Sequence, residues 1–221
     1  MTFFRAVSLA TALVPILLFV GIAAGAYRFK SLKKQYRFLL LYLGICFLTD
    51  ISSRIFGEIY NNNLVFIVIF SLLELLFFTV FYQVCLFKKK DMPSIILTIA
   101  ATLYISWEVY ILANATPKEF QSYAKVICSF IIIMMSITLF FEKIDSEQQD
   151  NSILKLNSAF VIYFSLNLIL FLPINFLINV ASMVKYYFWF ANFLLTLLFY
   201  AFLSREIWRN GSTRKQLQSG S

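Results

Sequence analysis

Apolar residues fill seven long runs of the chain, and polar residues are confined to the short segments between these runs. Each run has roughly the 20 residues that an α-helix needs to cross a hydrocarbon core about 30 Å thick. The pattern therefore predicts an all-α, polytopic membrane protein with seven transmembrane helices. The predicted spans are residues 7–27, 38–56, 64–87, 92–113, 123–141, 158–180 and 184–207.

The polar segments are too short to fold as a soluble domain. The longest of them are residues 142–157 and 208–221. We predict one transmembrane domain over residues 1–207 and a cytoplasmic tail over 208–221, whose Gly- and Ser-rich end is typical of an added linker. The first run also imitates the core of a signal peptide, but the basic stretch at 28–37 directly after it favours a retained helix.

The composition agrees with a membrane location and excludes several kinds of chemistry. Apolar residues make up 61% of the chain and charged residues 14%, against about 25% charged in soluble domains. The absence of histidine excludes Ser-His-Asp catalysis, HExxH zinc sites and histidine-ligated haem. The chain also lacks the glycine-rich motifs that bind nucleotides. We expect no enzymatic activity, metal or cofactor, although a transfer reaction that uses only Glu and Asp stays open.

Lysine and arginine are distributed unevenly between the two sides of the predicted bundle. Fourteen of the 19 fall on the side that carries the C-terminus. Because basic loops are retained in the cytoplasm, we predict an outside N-terminus and a cytoplasmic C-terminus, in a plasma or inner membrane. These residues would attract anionic headgroups at the inner leaflet or a protein partner, so a nucleic-acid partner is not needed to explain the net charge of +8. Lys125 and Lys185 are predicted at the outer surface.

Three acidic residues lie inside the predicted spans, where an unpaired charge is costly. Arg54 follows Asp50 by four residues, a spacing that predicts an ion pair on one helix face. Glu108 lies towards the outer end of its span. Glu74 lies near the membrane midplane with no charge partner on its own helix, so it must be protonated or paired with another helix. Glu74 is therefore the strongest candidate for binding a ligand or a proton.

The polar residues of the spans concentrate between the midplane and the outer surface. This distribution predicts a polar cavity that is open to the outside and closed on the inside. The candidate ligand- or ion-binding residues are Glu74, Asp50, Arg54, Glu108, Asn167, Asn175 and Asn192, with aromatic walls from Tyr104, Trp107, Tyr110, Tyr187 and Trp189. The alternative is structural, with a satisfied Asp50–Arg54 pair, asparagines that join helices and aromatic residues in the interfacial belt.

Two segments of the third and seventh spans share one pattern. Residues 74–82 and 192–200 each consist of a polar residue, seven apolar or Thr residues and a Tyr. Asp50 and Asn167 precede these segments by 24 and 25 residues. The spacing predicts a 3+1+3 parallel repeat, in which two helix triplets flank the fourth span.

This plan of seven spans, an outside N-terminus and a polar mid-membrane residue in the third and seventh spans resembles the architecture of SWEET-type sugar carriers. The resemblance implies a substrate site near the midplane, between the triplets. The chain departs from that family in having Glu74 where an Asn is expected. The prolines within its triplets, Pro15 and Pro173, also differ from the paired prolines of that family.

Three functions fit these features. The leading expectation is a carrier for a small solute or ion, with Glu74 as the coupling or substrate-binding acid. The alternatives are a sensor or receptor-like module that binds an outside ligand, and a structural subunit of a larger membrane complex. A carrier needs access to its site from both sides, a sensor needs a closed inner half, and a subunit needs a large contact surface.

Overall fold

The computed structural model describes residues 11–60, 62–112, 122–144, 151–177 and 182–219, and it describes the side chains of these residues except for 174–186 and 213–219. Almost all of the described residues are helical, and no strand occurs among them. The all-α prediction is therefore confirmed.

Seven α-helices follow one another along the described chain. They are α1 (Leu13–Tyr27), α2 (Lys34–Tyr60), α3 (Val65–Phe81), α4 (Met92–Leu112), α5 (Ala124–Ile144), α6 (Asn151–Leu177) and α7 (Ser182–Ser219). A short 3₁₀ helix, Phe29–Ser31, follows α1, and a π-helical turn, Tyr82–Leu86, continues α3.

Six of these helices are long and apolar enough to cross a membrane, and each corresponds to a predicted span. The first predicted span corresponds to the shorter α1, and residues 7–10 of that span lie outside the described part of the chain. Two boundaries differ clearly from the prediction. Helix α6 begins at Asn151, within the predicted loop, and α7 continues to Ser219, through the predicted tail. Hydropathy marks only the part of a helix that needs lipid, so polar turns at the helix ends were excluded.

The described chain divides into two compact units. The first contains residues up to Ile55 and from Phe193 onwards, and the second contains Phe56–Asn192. The first unit thus combines α1 with most of α2 and the second part of α7, while α3 to α6 belong to the second unit. This grouping differs from the two triplets of the predicted repeat.

Glycine allows close helix packing in the first unit. A Cβ added to Gly21 would collide with Ser204 and lie 3.2 Å from Leu43, and one added to Gly25 would lie 2.5 Å from a Leu40 methyl carbon. The two glycines are four residues apart and form a GxxxG pair, a pattern that brings helices close together in membranes. Here the pair packs against α2 and α7 of the same chain.

Aromatic residues form the core of the second unit. Helix α3 packs against α4 and α5, and α5 packs against α6. The ring of Phe78 meets Phe160 and Phe164 edge to face, with centroids 5.1 and 5.0 Å away. This geometry is favoured because the positive edge of one ring faces the negative face of the other. The interior of this part of the unit is therefore apolar and tightly filled.

A closed set of hydrogen bonds joins α5 and α6 to the π-helical turn. The Tyr82 hydroxyl donates to Asn157 Oδ1 at 2.7 Å and lies 2.5 Å from Ser136 Oγ. Asn157 Nδ2 donates to the carbonyl oxygen of Ser136 at 2.9 Å. All three side chains are buried, and the shared bonds satisfy their polar groups.

Candidate functional site

Glu74 forms a buried ion pair with Lys125. Lys125 Nζ lies 2.5 Å from Glu74 Oε2, and the side chains are 7% and 0% exposed. Glu74 occupies the middle of the Val65–Leu86 span, while Lys125 is the second residue of α5. The pair therefore joins α3 and α5 across an apolar environment, where neither charge could remain without a partner at acceptable cost.

The position of the Lys125 side chain differs from the prediction made from the sequence. The prediction that Lys125 extends outwards to the membrane surface is wrong, since its side chain is buried and turned to Glu74. The prediction that Glu74 is either protonated or paired across helices is resolved in favour of the pair. The side chain of Lys185 lies outside the described residues.

Three further side chains lie around the ion pair. Cys128 lies one turn along α5 from Lys125, and its Sγ is 3.7 Å from Glu74 Oε2. The Lys125 ammonium is 5.0 Å from the centroid of the Phe70 ring, a cation–π distance. Tyr163 of α6 lies within electrostatic range of the Lys125 ammonium. Three helices therefore contribute to the surroundings of the pair.

Glu108 caps the start of α5. Its carboxylate accepts backbone N–H groups from Tyr123 at 2.8 Å and Ala124 at 3.1 Å, and the Ser122 hydroxyl at 3.0 Å. The N-terminus of a helix carries unsatisfied N–H groups and a partial positive charge, so a buried carboxylate is stabilised there. Tyr104 adds a hydroxyl donor at 3.3 Å. These hydrogen bonds give Glu108 a structural role, because they hold the start of α5 in place.

Asp50 and Arg54 form the predicted ion pair in the first unit. Arg54 Nε lies 2.7 Å from Asp50 Oδ2, and Arg54 Nη2 lies 3.3 Å from Oδ1 and 2.8 Å from the carbonyl oxygen of Thr11. The two side chains are 24% and 39% exposed. The guanidinium thus links α2 to Thr11, two residues before the start of α1, which gives the pair a structural explanation.

The three candidate asparagines have different environments. Asn167 is fully buried, and its Nδ2 donates to the carbonyl oxygen of Tyr163 at 3.2 Å, while its Oδ1 has no hydrogen-bond partner. Asn192 Oδ1 is also buried without a partner. The side chain of Asn175 lies outside the described residues. A buried amide oxygen without a donor is costly, so Asn167 and Asn192 stay candidates for binding a ligand.

Most of the predicted aromatic wall residues are exposed. Trp107, Tyr110 and Tyr187 are exposed. Exposed Trp and Tyr near the end of a span are typical of the interfacial belt, where their rings lie at the level of the headgroups. The structure therefore favours the structural interpretation of these three residues.

Sequence reasoning missed both Lys125 and Asn157. Lys125 stands at the start of an apolar run, a position typical of surface lysines. Asn157 was assigned to the loop before the sixth span. A search that pairs every intramembrane acid with every base at a span end would have included Lys125 among the candidates, whereas nothing local in the sequence points to the partners of Asn157.

The described residues contain no group of three or more His, Cys, Asp or Glu side chains that could hold a metal ion. Comparison with protein-family models, with curated proteins and with solved structures gave no match. The function must therefore be argued from the residues themselves.

Proposed function

We propose that this chain is a multi-pass carrier for a small solute or ion, with Glu74 as the coupling or substrate-binding acid. In this proposal all seven helices cross a plasma or inner membrane, with the N-terminus outside and the basic loops in the cytoplasm. Six apolar helices of sufficient length support the membrane location. The observation that carries the proposal is the buried Glu74–Lys125 pair.

The cost of the pair argues for a role beyond stability. Both charges lose their hydration inside the bundle, and well-packed apolar residues in place of a buried ion pair are often as stable or more stable. Ionisable residues at membrane depth are rare and commonly mark ion or substrate pathways. A pair that costs this much, in the middle of an apolar span, is most simply explained by the charges being used.

The pair also supplies a two-state element. A cation or proton that binds Glu74 releases Lys125, and an anionic group that binds Lys125 releases Glu74. Since the pair joins α3 and α5, its separation weakens one contact between two packed helices. A ligand can shift an equilibrium between conformations only when it binds one of them more tightly, and exchange of ion-pair partners provides such a difference.

A sensor or receptor-like module is the second candidate, and one observation favours it. The Tyr82, Ser136 and Asn157 hydrogen bonds fasten α5 and α6 to the end of α3, on the side predicted to face the cytoplasm. A sensor would keep that side closed, whereas a carrier must open it. A structural subunit remains the third candidate.

Uptake into sealed vesicles tests the proposal. Wild-type protein and a Glu74→Gln variant are reconstituted and supplied with sugars, nucleosides, amino acids and cations, with and without a proton gradient. We expect uptake of at least one class and at least a tenfold loss in the variant. The matched control is Glu58→Gln, which changes an exposed acid on α2 and should leave uptake unchanged. Absence of uptake by folded wild-type protein would reject the carrier and favour the sensor or the subunit.

A further inference from the structure

We propose that two basic segments of the first unit form a binding surface for anionic phospholipid headgroups. The segments are residues 28–37, which follow α1 and begin α2, and residues 205–212 of α7. Together they are called the basic junction. The inference goes beyond the proposed function, because it concerns the first unit and does not depend on a ligand at Glu74 and Lys125.

The two segments of the basic junction are in direct contact. The backbone N–H of Lys33 donates to Asn210 Oδ1 at 3.2 Å, and Arg28 Nη1 donates to Ser212 Oγ. A Cβ added to Gly211 would lie 2.8 Å from Arg28 Cβ. The structure therefore brings basic residues that are far apart in the sequence to one place.

The two arginines of the first segment bind uncharged groups. The guanidinium carbon of Arg28 lies 3.6 Å from the centroid of the Trp208 ring. Arg37 donates to the carbonyl oxygens of Leu32 and Lys30 at 3.1 and 3.2 Å. These contacts hold the side chains in place but supply no negative charge. In the described part of the chain, no acid neutralises either arginine.

The basic junction carries a large excess of positive charge. It contains seven lysines and arginines and one acid, which gives a net charge of +6. The acid, Glu206, is buried and pairs with Arg209 at 2.9 Å. Lys30, Lys33 and Arg205 are exposed, and no acid among the described residues pairs with them. Their charges are available to an anionic partner.

Aromatic side chains indicate that this partner is a lipid. Tyr27 and Trp208 are 76% and 45% exposed, and each lies at or near the end of an apolar stretch, Leu13–Tyr27 and Tyr187–Ser212. Exposed Tyr and Trp at such positions lie at the level of the headgroups. Clusters of Lys and Arg directly beside membrane helices attract anionic lipids. The basic junction therefore meets phospholipid headgroups before any soluble anion.

The contacts within the basic junction favour a local site over diffuse attraction. Hydrogen bonds hold the two segments together in the structure without lipid, so less conformational freedom is lost when a headgroup binds. A single basic loop offers no such arrangement. We therefore expect neutralisation of the basic junction to lower the preference for anionic lipid more than neutralisation of another basic loop.

Quenching of Trp208 fluorescence by brominated lipids tests the inference. Trp107→Phe and Trp189→Phe leave Trp208 as the only tryptophan, and a brominated lipid chain quenches only a nearby indole. The protein is reconstituted in mixtures of phosphatidylcholine and phosphatidylglycerol, with one or the other brominated. We expect phosphatidylglycerol to bind near Trp208 with a relative constant at least threefold above that of phosphatidylcholine. Equal quenching by the two lipids would overturn the inference.

A second reporter shows whether the preference is local. Trp189→Phe with Trp208→Phe leaves Trp107, an exposed residue in the second half of α4. We expect both lipids to quench Trp107 equally. A preference at Trp107 as large as that at Trp208 would indicate a general attraction of the protein for anionic lipid, and it would also overturn the local site.

Two variants with the same loss of charge provide the matched comparison, and all of their positions are exposed. The junction variant carries Lys30→Gln, Lys33→Gln and Arg205→Gln. The loop variant carries Lys88→Gln, Lys89→Gln and Lys90→Gln, in the segment before α4. With Trp208 as the reporter, the junction variant should lose the preference for phosphatidylglycerol, and the loop variant should keep it. An equal preference in the two variants would contradict the inference.

Inorganic phosphate distinguishes a lipid from a soluble ligand. At equal ionic strength, phosphate and chloride should weaken the preference at Trp208 to the same extent, because both only screen the charges. Displacement of phosphatidylglycerol by phosphate alone would assign the basic junction to a soluble phosphate compound and overturn the lipid site.

The inference and the carrier proposal can fail separately. A preference for phosphatidylglycerol at Trp208 without uptake into vesicles would preserve the lipid site and reject the carrier. Uptake that depends on Glu74, with no lipid preference at Trp208, would preserve the carrier and reject the lipid site.

Discussion

At the scale of single residues, the central feature is the ion pair of Lys125 and Glu74, whose side chains are both buried. The sequence predicts that Glu74 needs a partner, because its own helix offers none. The identity of that partner could not be predicted, since Lys125 lies 51 residues away and the contact depends on how α3 and α5 pack. A search of pairs could propose Lys125, but only the three-dimensional arrangement selects it.

The pair predicts a characteristic pattern of stabilities. Glu74→Gln and Lys125→Met should each destabilise the protein by about 3–5 kcal/mol, because each leaves one buried charge without the opposite charge of the ion pair. The double variant should be more stable than either single variant, since it leaves no charge. Unfolding in mild detergent, followed by circular dichroism, measures the three differences. Single variants as stable as wild-type protein would show that the pair does not form.

Tyr82 gives a second prediction at this scale. Tyr82→Phe removes the hydroxyl that donates to Asn157 and meets Ser136, both of which are buried. Polar groups that remain buried without a partner cost about 1–3 kcal/mol. The same unfolding measurement should show this loss, whereas Tyr110→Phe, at an exposed ring, should show none. Equal stability of the two variants would contradict the role assigned to these hydrogen bonds.

At the scale of helices, hydropathy could predict most of the architecture. The cores of the helices agree with the predicted spans because an apolar run long enough to cross a bilayer has few alternatives to a helix. The helix ends could not be predicted from the same signal. Polar residues extend α6 backwards to Asn151 and α7 forwards to Ser219, and helical hydrogen bonds there need no lipid.

Helix packing in the first unit predicts opposite effects of one substitution at two glycines. Gly21→Ala should destabilise the protein by about 1–3 kcal/mol, because the new Cβ collides with Ser204. Gly44→Ala should be neutral or stabilising by about 0.5–1 kcal/mol, because nothing lies within 4 Å of the added atom and Ala is the better helix former. The comparison of melting temperatures checks both. A stable Gly21→Ala variant would mean that α1 and α7 are not packed closely at this point.

At the scale of the whole molecule, the basic residues predict the topology. Lys89 lies in a predicted cytoplasmic loop and Lys118 in a predicted outside loop. In a variant whose native cysteines are replaced by Ala, a cysteine introduced by Lys118→Cys should react with a membrane-impermeant thiol reagent added to intact cells. A cysteine introduced by Lys89→Cys should react only after the membrane is opened. The reverse result would invert the proposed orientation and turn the predicted cavity towards the cytoplasm.

The carrier proposal depends on access to Glu74 and Lys125 from both sides of the membrane. Cys128 is a natural reporter, because its Sγ lies 3.7 Å from Glu74 Oε2 and its side chain is buried. Replacement of the other two cysteines, Cys46 and Cys85, by Ala leaves Cys128 as the single thiol.

The most direct test is therefore the labelling of Cys128 by an impermeant thiol reagent, applied in turn to the outer and the inner face of sealed, oriented vesicles. A carrier exposes its site alternately, so we predict that Cys128 reacts from both faces and that bound ligand slows both reactions. Reaction from the outside alone would contradict the carrier and favour a sensor. No reaction from either face would contradict any ligand site at the Glu74–Lys125 pair.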